Sequence, residues 1–433
     1  MFKVFQNAWK IDDLRKKILY TLMIIIIFRI GSAIPVPFLE TSSLAAMLSA
    51  NAGNLLGYLN MLTGGALSQA TLLALSISPY ITASIVIQLL TVAIPALERL
   101  AKEGEEGRKK LNKITRYSTV GLALVQSYAY YVTLKSYNAV ESFPMKWQNL
   151  LVLVTILFMF TAGGMLCMWL GERIDENGIG NGISMLLFAG IVSGAPALVS
   201  TMWAYLQKAV AGEFKYWIFV PAVIAIFLIL TAFITLIDSS ERRIPVQYAK
   251  RVVGRKQYGG QSTFLPVKVN MASVLPIIFA SALLSVPATI EAFVKVKEGG
   301  FWDGLFSIFD TGSWSYALLY FLLIIAFSYF YVAIQYNPIE MANQLQKNNG
   351  GIPGIRPGRP TSDFISRVIG KVTFIGAMFL SIVALLPILL GALFDMNISL
   401  GGTTIIIVVG VALETSRSLE SQMMMRHYKG FLE

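Results

Sequence analysis

Long uncharged runs recur along this chain and constrain its fold more than any other feature. A run of about 20 apolar residues is long enough to cross the ~30 Å hydrocarbon core of a bilayer. Hydrophobic residues make up 55% of the 433 residues and charged residues only 14%, whereas a soluble domain is roughly one-quarter charged. The sequence therefore predicts an all-α membrane protein that crosses the bilayer many times.

Hydropathy predicts ten spans, with both termini on the same side of the membrane. The predicted spans are residues 18–36, 75–95, 115–134, 149–170, 180–200, 216–238, 271–290, 314–336, 371–394 and 401–420. Most of the 35 lysines and arginines lie in the N-terminus, in alternate loops and in the C-terminus. Because basic residues accumulate on the cytoplasmic side, we expect both termini to be cytoplasmic.

Ten spans divide into two sets of five, which suggests two inverted halves with a cavity between them. No convincing internal sequence repeat supports this division, so it comes from the topology alone. The expected division is an amphipathic N-terminal segment at 1–17, an N-terminal half at 18–200, a C-terminal half at 201–420 and a cytoplasmic tail at 421–433. We interpret the N-terminal segment as a helix in the membrane interface, and we expect no cleavable signal.

Residues 54–95 carry no charge, yet they do not form one continuous span. Gly57, Gly64 and Gly65 interrupt the first part, and Pro79 precedes a second apolar run. Unpaired backbone groups at membrane depth are tolerated only where they are buried in protein or face water. The break therefore predicts a half-helix that lies in a cavity.

The composition excludes several kinds of catalytic or metal site. Cys167 and His427 are the only cysteine and histidine, so the chain cannot form an internal disulfide or a Cys/His metal cluster. The sequence contains no GxxxxGK[ST] motif for ATP, and we expect no cofactor. A small-solute transporter and an intramembrane enzyme are the alternatives, but ionisable residues within the spans are few.

The loops at 239–270 and 337–371 are too long to be simple connectors. The first contains RRIPVQYAKR and predicts a basic hairpin around Gly259–Gly260. The second contains NNGGIPGIRPGRPT, a composition also typical of a disordered linker. Two such loops on the cytoplasmic side favour a docking surface for a large partner.

Seven blocks of sequence follow one another along the whole chain. They are FRIGSAIPVP at 28–37, SPYITASIVIQLL at 78–90, GERIDENGIGNGIS at 171–184, ERRIPVQYAKR at 241–251, QSTFLPVKVNMASVLPIIFA at 261–280, GIPGIRPG at 351–358 and GGTTIIIVV at 401–409. In this order they resemble the SecY family, the pore-forming subunits of the bacterial protein-translocation channel. The resemblance implies two five-helix halves around an hourglass pore. The spans at 75–95 and 115–134 would face those at 271–290 and 314–336 across a lateral gate to lipid.

The resemblance also implies a plug at about 55–67 and a narrow ring of apolar side chains. The plug residues would be Leu55, Leu56, Tyr58, Leu59, Met61, Leu62, Gly64, Gly65 and Leu67. The ring residues would be Ile81, Ile85, Ile183, Leu187, Ile278 and Ile407. Pairs four residues apart share one helix face, and an apolar constriction can close a pore by dewetting. Ordinary helix packing is the alternative role for these residues, and Leu187 departs from the isoleucine expected there.

In the family, the two long loops receive the SecA motor ATPase or the ribosome, including its RNA. The docking residues implied here are Arg242, Arg243, Arg255, Lys256, Arg356 and Arg359. Each of them could instead be an ordinary solvated charge on the cytoplasmic side. The small subunits SecE and SecG, polypeptides with signal sequences and membrane lipid are the other partners that the resemblance implies.

Overall fold

The computed structural model shows a mostly helical protein. It describes residues 2–40, 63–136, 139–141, 143–211, 214–248, 251–253, 256–258, 262–293, 304, 306–309, 313–394 and 402–429. The helices are α1 (Phe2–Trp9), α2 (Asp12–Gly31), α3 (Ser78–Ala93), α4 (Pro95–Lys102), α5 (Glu105–Ser136), α6 (Lys146–Asn177), α7 (Gly182–Ser193), α8 (Ala195–Val210), α9 (Lys215–Ser239), α10 (Leu275–Phe293), α11 (Trp314–Gln335), α12 (Pro338–Lys347), α13 (Arg359–Phe394) and α14 (Gly402–Lys429).

Each of the ten predicted spans falls on helix. By length and composition alone, five helical segments could each cross a membrane: Lys146–Asn177, Gly182–Val210, Tyr216–Ser239, Trp314–Lys347 and Arg359–Leu386. The pair α3 and α4, bent by 102° at Ile94, adds a sixth if it is taken as one broken span. The ten-span arrangement is consistent with these helices.

Several helices extend beyond the predicted spans. α5 begins at Glu105, ten residues before the predicted start, and α13 begins at Arg359 rather than near 371. Hydropathy detects only the apolar part of a helix, whereas charged residues continue the helix where water can solvate them. The predicted boundaries at these positions were therefore too short.

The buried apolar residues form separate cores for the two parts of the chain. One cluster joins the segment after the gap to α5 and α6, and a second joins α2, α6 and α7. A third joins α9, α10, α11, α13 and α14. The expected boundary at 200 falls inside α8, so the break in helix comes later, between Val210 and Lys215.

Residues 63–77 link the gap in the described chain to α3, and they are irregular but buried. Gly64 and Gly65 have φ angles of +66° and +86°, the left-handed region that glycine adopts without strain. Leu67, Ala70 and Ala74 pack in the core with α5 and α6. The predicted break in the apolar stretch is therefore confirmed.

The long loops contribute strands to two small sheets, one of three strands and one of two. The strands are β1 (Glu241–Tyr248), β2 (Arg251–Val253), β3 (Lys256–Tyr258), β4 (Ser262–Lys268) and β5 (Gly350–Gly351). β1 pairs antiparallel with β4 and with β5, and β2 pairs antiparallel with β3 in the same register as β1 with β4. The hairpin is therefore confirmed, but the register of its described strands centres it between Val253 and Lys256 and not at Gly259–Gly260.

The N-terminal helix α1 packs against the C-terminal helix α14. Ala8 and Leu419 are buried in the same small cluster, and Lys17 donates a hydrogen bond to the Gln422 side chain at 3.3 Å. Phe5 and Trp9 remain exposed. The helix therefore has one face for protein and one that is free to meet the membrane interface.

Candidate functional site

A small apolar cluster lies where helices from both halves meet. We call it the ring cluster; its buried members are Leu187, Ile191, Ile407 and Val411. Ile81 on α3 packs against it, so three of the six predicted ring residues are brought together from three helices. The amino acids in it are branched or unbranched aliphatic residues with no polar atom to hold an ion or a water molecule.

Hydrogen bonds at the start of α7 fix the position of its two predicted ring residues. The Asn181 side chain accepts from the Ser184 N–H at 3.1 Å, which caps the helix. The Asp175 carboxylate accepts from the Gly182 N–H at 2.7 Å. Burial raises the pKa of Asp175 above its ordinary value, while the bond from Gly182 opposes that shift. The first turn of α7 is thus fixed at the C-terminal end of α6.

The other three predicted ring residues lie outside the ring cluster. Ile183 packs with Ile81 against the neighbouring core of α2, α6 and α7. Ile85 is buried, and Ile278 is half-buried near the start of α10. Val274, four residues before Ile278, is the side chain from this part of the chain that packs against the ring cluster.

Sequence reasoning missed two members of the ring cluster, Ile191 and Val411. Each lies four residues after a predicted member, Leu187 or Ile407, and so on the same helix face. Extending the four-residue spacing by one further turn would have found both. Within the described part of the chain, no group of three or more His, Cys, Asp or Glu residues could hold a metal ion.

The plug prediction falls mostly outside the described residues. Positions 55–62 lie there, and with them Leu55, Leu56, Tyr58, Leu59, Met61 and Leu62. Gly64 and Gly65 form the left-handed turn, and Leu67 is buried in the core with α5 and α6. Arg29 of α2 lies beside Gly64, since a Cβ atom at Gly64 would be 3.0 Å from its Nη1 atom.

Helix α10 lies where the two halves face each other. It contacts both α3 and α5 of the N-terminal half, while α11 packs against α10. Three of the four helices expected around a lateral opening therefore meet directly. α10 itself is short in its apolar part, Leu275–Leu284.

The sheet of β4, β1 and β5 exposes basic side chains to solvent and packs its other face on helices. Ile244 and Val246 of β1 are buried with residues of α11, α12 and α13, as the alternation of a strand with one buried face requires. Arg242 and Arg243 are exposed, and Arg243 forms an ion pair with Glu241 at 2.8 Å. A surface with exposed basic side chains is therefore packed on the C-terminal half.

The remaining predicted docking residues lie on or near the same sheet. Arg356 and Arg359 are exposed just after β5. Lys256 begins β3, and Arg255 lies outside the described residues. Because β5 pairs with β1, the two long loops form one surface, and the linker alternative for the second loop is wrong at Gly350–Gly351.

Comparison with known proteins gives full-length matches. A model of the SecY family matches residues 71–416. The chain is 44% identical to the protein translocase subunit SecY of Streptomyces galbus over 100% of both chains. One solved structure that matches is of a SecY protein whose plug domain stabilises the closed state of its translocation channel. The match has a TM-score of 0.66 at 18% identity and covers 94% of this chain and 92% of that one.

A ribosome-bound relative has the same fold. The Sec61 channel in the canine ribosome–channel complex from the endoplasmic reticulum matches with a TM-score of 0.59 at 16% identity, over 94% of this chain and 92% of that one. At such identity the two structures show the likeness of fold alone. The family model covers most of the chain and the curated relative covers all of it. The chain therefore belongs to the SecY family.

Proposed function

We propose that this chain is the central channel subunit of a protein translocase, which passes unfolded secretory polypeptides across the membrane. The observation that carries the proposal is the ring cluster, in which Leu187 and Ile407 from opposite halves meet with Ile81 packed against them. A collar of aliphatic side chains offers no ligand to ions when it is closed. It can nevertheless surround any extended polypeptide, because it requires no specific contact.

The pore ring comprises Ile81, Ile85, Ile183, Leu187, Ile278 and Ile407, with Ile191 and Val411 extending it by one helical turn. The residues at 55–67 form the plug on the external side of the ring. Its support is the described end of this stretch, which turns at the left-handed Gly64 and Gly65 and buries Leu67. A plug and an apolar ring together keep the resting channel closed to ions.

Signal sequences and transmembrane segments leave the channel sideways into lipid. The exit lies between α3 and α5 on one side and α10 and α11 on the other. The direct contacts of α10 with α3 and α5 support this assignment, because separating the halves there would open a path from the ring to lipid. The two halves are residues 18–200 and 201–420, and α8 continues from the first into the second as far as Val210.

The energy for transport comes from a partner, and the chain itself acts as a conduit without catalysis. Arg242, Arg243, Arg255, Lys256, Arg356 and Arg359 dock the SecA ATPase or the ribosome on the sheet. Cations there meet carboxylates of a motor or phosphates of ribosomal RNA mainly through charge. SecE and SecG complete the channel, which lies in the bacterial cell membrane with both termini cytoplasmic.

Transport by reconstituted vesicles tests this function. The chain is inserted with SecE and SecG, and a precursor with a signal sequence is added with SecA and ATP. We expect the precursor to become protected from external protease, and we expect no protection when its signal sequence is removed. A correctly assembled complex that protects no precursor, yet exchanges a small solute between the two sides, would contradict the proposal.

A further inference from the structure

We propose that Tyr130 is a positioning residue that holds the segment 63–77 against the N-terminal half and thereby favours the closed channel. The inference rests on the proposed function, because the consequence of losing this contact is a leak through the channel. It concerns residues 63–77, which begin within the predicted plug and lead to α3.

The Tyr130 hydroxyl donates a hydrogen bond of 2.6 Å to the carbonyl oxygen of Leu67. Tyr130 is 7% exposed and Leu67 is 4% exposed, so water does not replace the bond. The same oxygen also accepts from the Ala70 N–H at 3.1 Å, but that bond lies within the segment. The bond from Tyr130 therefore fixes the segment to α5.

The neighbouring part of the segment is fixed by backbone contacts. The Leu72 N–H donates to the carbonyl of Ile34 at 2.8 Å, and the Val36 N–H donates to Ala70 at 3.1 Å. On α6, Gly163 lies so close to the Leu72 carbonyl that a Cβ atom there would overlap it. From Ala70 onward, the segment is thus held by the end of α2 and by α6.

Tyr130 acts between this fixed part and the glycine turn. At Gly64, a Cβ atom would overlap the Ser193 hydroxyl and lie 2.7 Å from the carbonyl oxygen of Gly190. Gly190 directly precedes Ile191, a member of the ring cluster. The position of the segment near Leu67 therefore determines how the turn seats against the helix that carries Leu187 and Ile191.

Without the hydroxyl, the segment near Leu67 loses its tether to α5 while its other contacts remain. The turn at Gly64–Gly65 is then held less firmly against α7, and the closed state becomes less favoured. Tyr131 provides a matched control, because it is also 7% exposed and lies on the same helix. Among the described residues, its hydroxyl makes no hydrogen bond to the segment.

The experiment compares Tyr130→Phe with Tyr131→Phe in reconstituted vesicles. We expect Tyr130→Phe to raise transport of a precursor with a defective signal sequence about tenfold, which corresponds to about 1.4 kcal/mol. Ion leak in the absence of precursor should rise with it, and Tyr131→Phe should behave as the wild type. Equal behaviour of the two variants would overturn the inference.

Hydrogen exchange over residues 63–77 gives a second readout that does not depend on transport. We expect faster exchange in this segment for Tyr130→Phe and unchanged exchange for Tyr131→Phe, and no difference between them would overturn the inference. If the wild-type chain transported no intact precursor, the proposed function would be wrong, while the exchange data would still decide whether Tyr130 holds the segment.

Discussion

Gly163 on α6 marks the place where an irregular backbone passes closest to a helix. A side chain at this position would overlap the carbonyl of Leu72, whereas a Cβ atom at the adjacent Gly164 would meet only Pro79 at 3.5 Å and Ser76 at 3.9 Å. Glycine is costly inside a helix, so its presence at 163 is explained by this approach. The close approach of the Leu72 backbone thus explains the glycine at 163 but not the glycine at 164.

Alanine substitution at each glycine tests whether the close approach exists only at Gly163. We expect Gly163→Ala to destabilise the protein by about 1–3 kcal/mol, because the inserted methyl group must displace backbone. Gly164→Ala should be neutral or stabilise by up to ~1 kcal/mol through helix propensity. Thermal unfolding of the purified variants measures both. A Gly163→Ala variant as stable as Gly164→Ala would show that the segment is not held so closely.

Single residues were predicted from the sequence to different degrees. Leu187, Ile407 and Ile81 were named from the matching blocks of sequence, and they lie in one apolar cluster from three helices. Their role as a pore ring stays a prediction. Tyr130 gave no comparable signal, because a tyrosine among apolar residues does not indicate which carbonyl it reaches. Contacts made by irregular backbone, such as that of Leu67, follow from the fold and not from a local pattern.

At the scale of elements, two side chains, Asp175 and Asn181, accept hydrogen bonds from the backbone at the start of α7. The Asp175 carboxylate accepts from the Gly182 N–H, and burial raises its pKa. The raised pKa means that the folded protein disfavours the ionised form. Its contribution to stability is therefore present at pH values below the ordinary pKa and is lost as the pH rises through the raised value.

The two substitutions Asp175→Asn and Asp175→Ala distinguish hydrogen bonding from charge. Asparagine can still accept from the Gly182 N–H without a buried charge, so we expect wild-type or higher stability at neutral pH. Alanine removes the acceptor and should cost about 0.5–2 kcal/mol. Thermal unfolding followed across pH checks this, and an asparagine variant as unstable as the alanine variant would contradict the charge argument.

Reversing the charge of an arginine next to the sheet of β4, β1 and β5 should weaken binding of the partner. Arg356→Glu should weaken binding of SecA or of ribosomes about tenfold at low salt, because a cation on the docking surface is replaced by an anion. Arg108→Glu is the control, since Arg108 is also exposed near the start of a helix but lies on the other half. Binding is measured by sedimentation with membranes, and an equal loss for both variants would indicate a general effect of net charge.

The sequence predicted the hairpin of this sheet but not its turn or its third strand. Alternating residues around 241–268 indicate paired strands, whereas the register depends on which residues face the core of α11, α12 and α13. Gly259–Gly260 looks like a turn in the sequence, yet burial of Ile244 and Val246 on one face sets a different register. β5 has only two residues and carries no strand pattern of its own.

At the scale of the whole molecule, hydropathy predicted ten spans, and the helices are consistent with that number. The side of the membrane on which each loop lies stays a prediction from the basic residues. The packing of α1 on α14 could not be predicted, because it joins the two ends of the chain. The 102° bend at Ile94 was not predicted either, although Pro95 is where a helix would be expected to restart.

A cysteine crosslink tests most directly whether a polypeptide passes through the ring cluster. Cys167, which is fully buried, is replaced by alanine, and one cysteine is placed at Ile81 or at Ile407. Ile229 on α9, which is 66% exposed, carries the cysteine in the control. A secretory chain stalled during transport, with its own single cysteine, is then offered to each variant.

We predict disulfides from Ile81 and Ile407 to the stalled chain, only when that chain has a functional signal sequence, and none from Ile229. Transport of the stalled chain without a crosslink at either ring position, or with equal crosslinking at Ile229, would contradict the account.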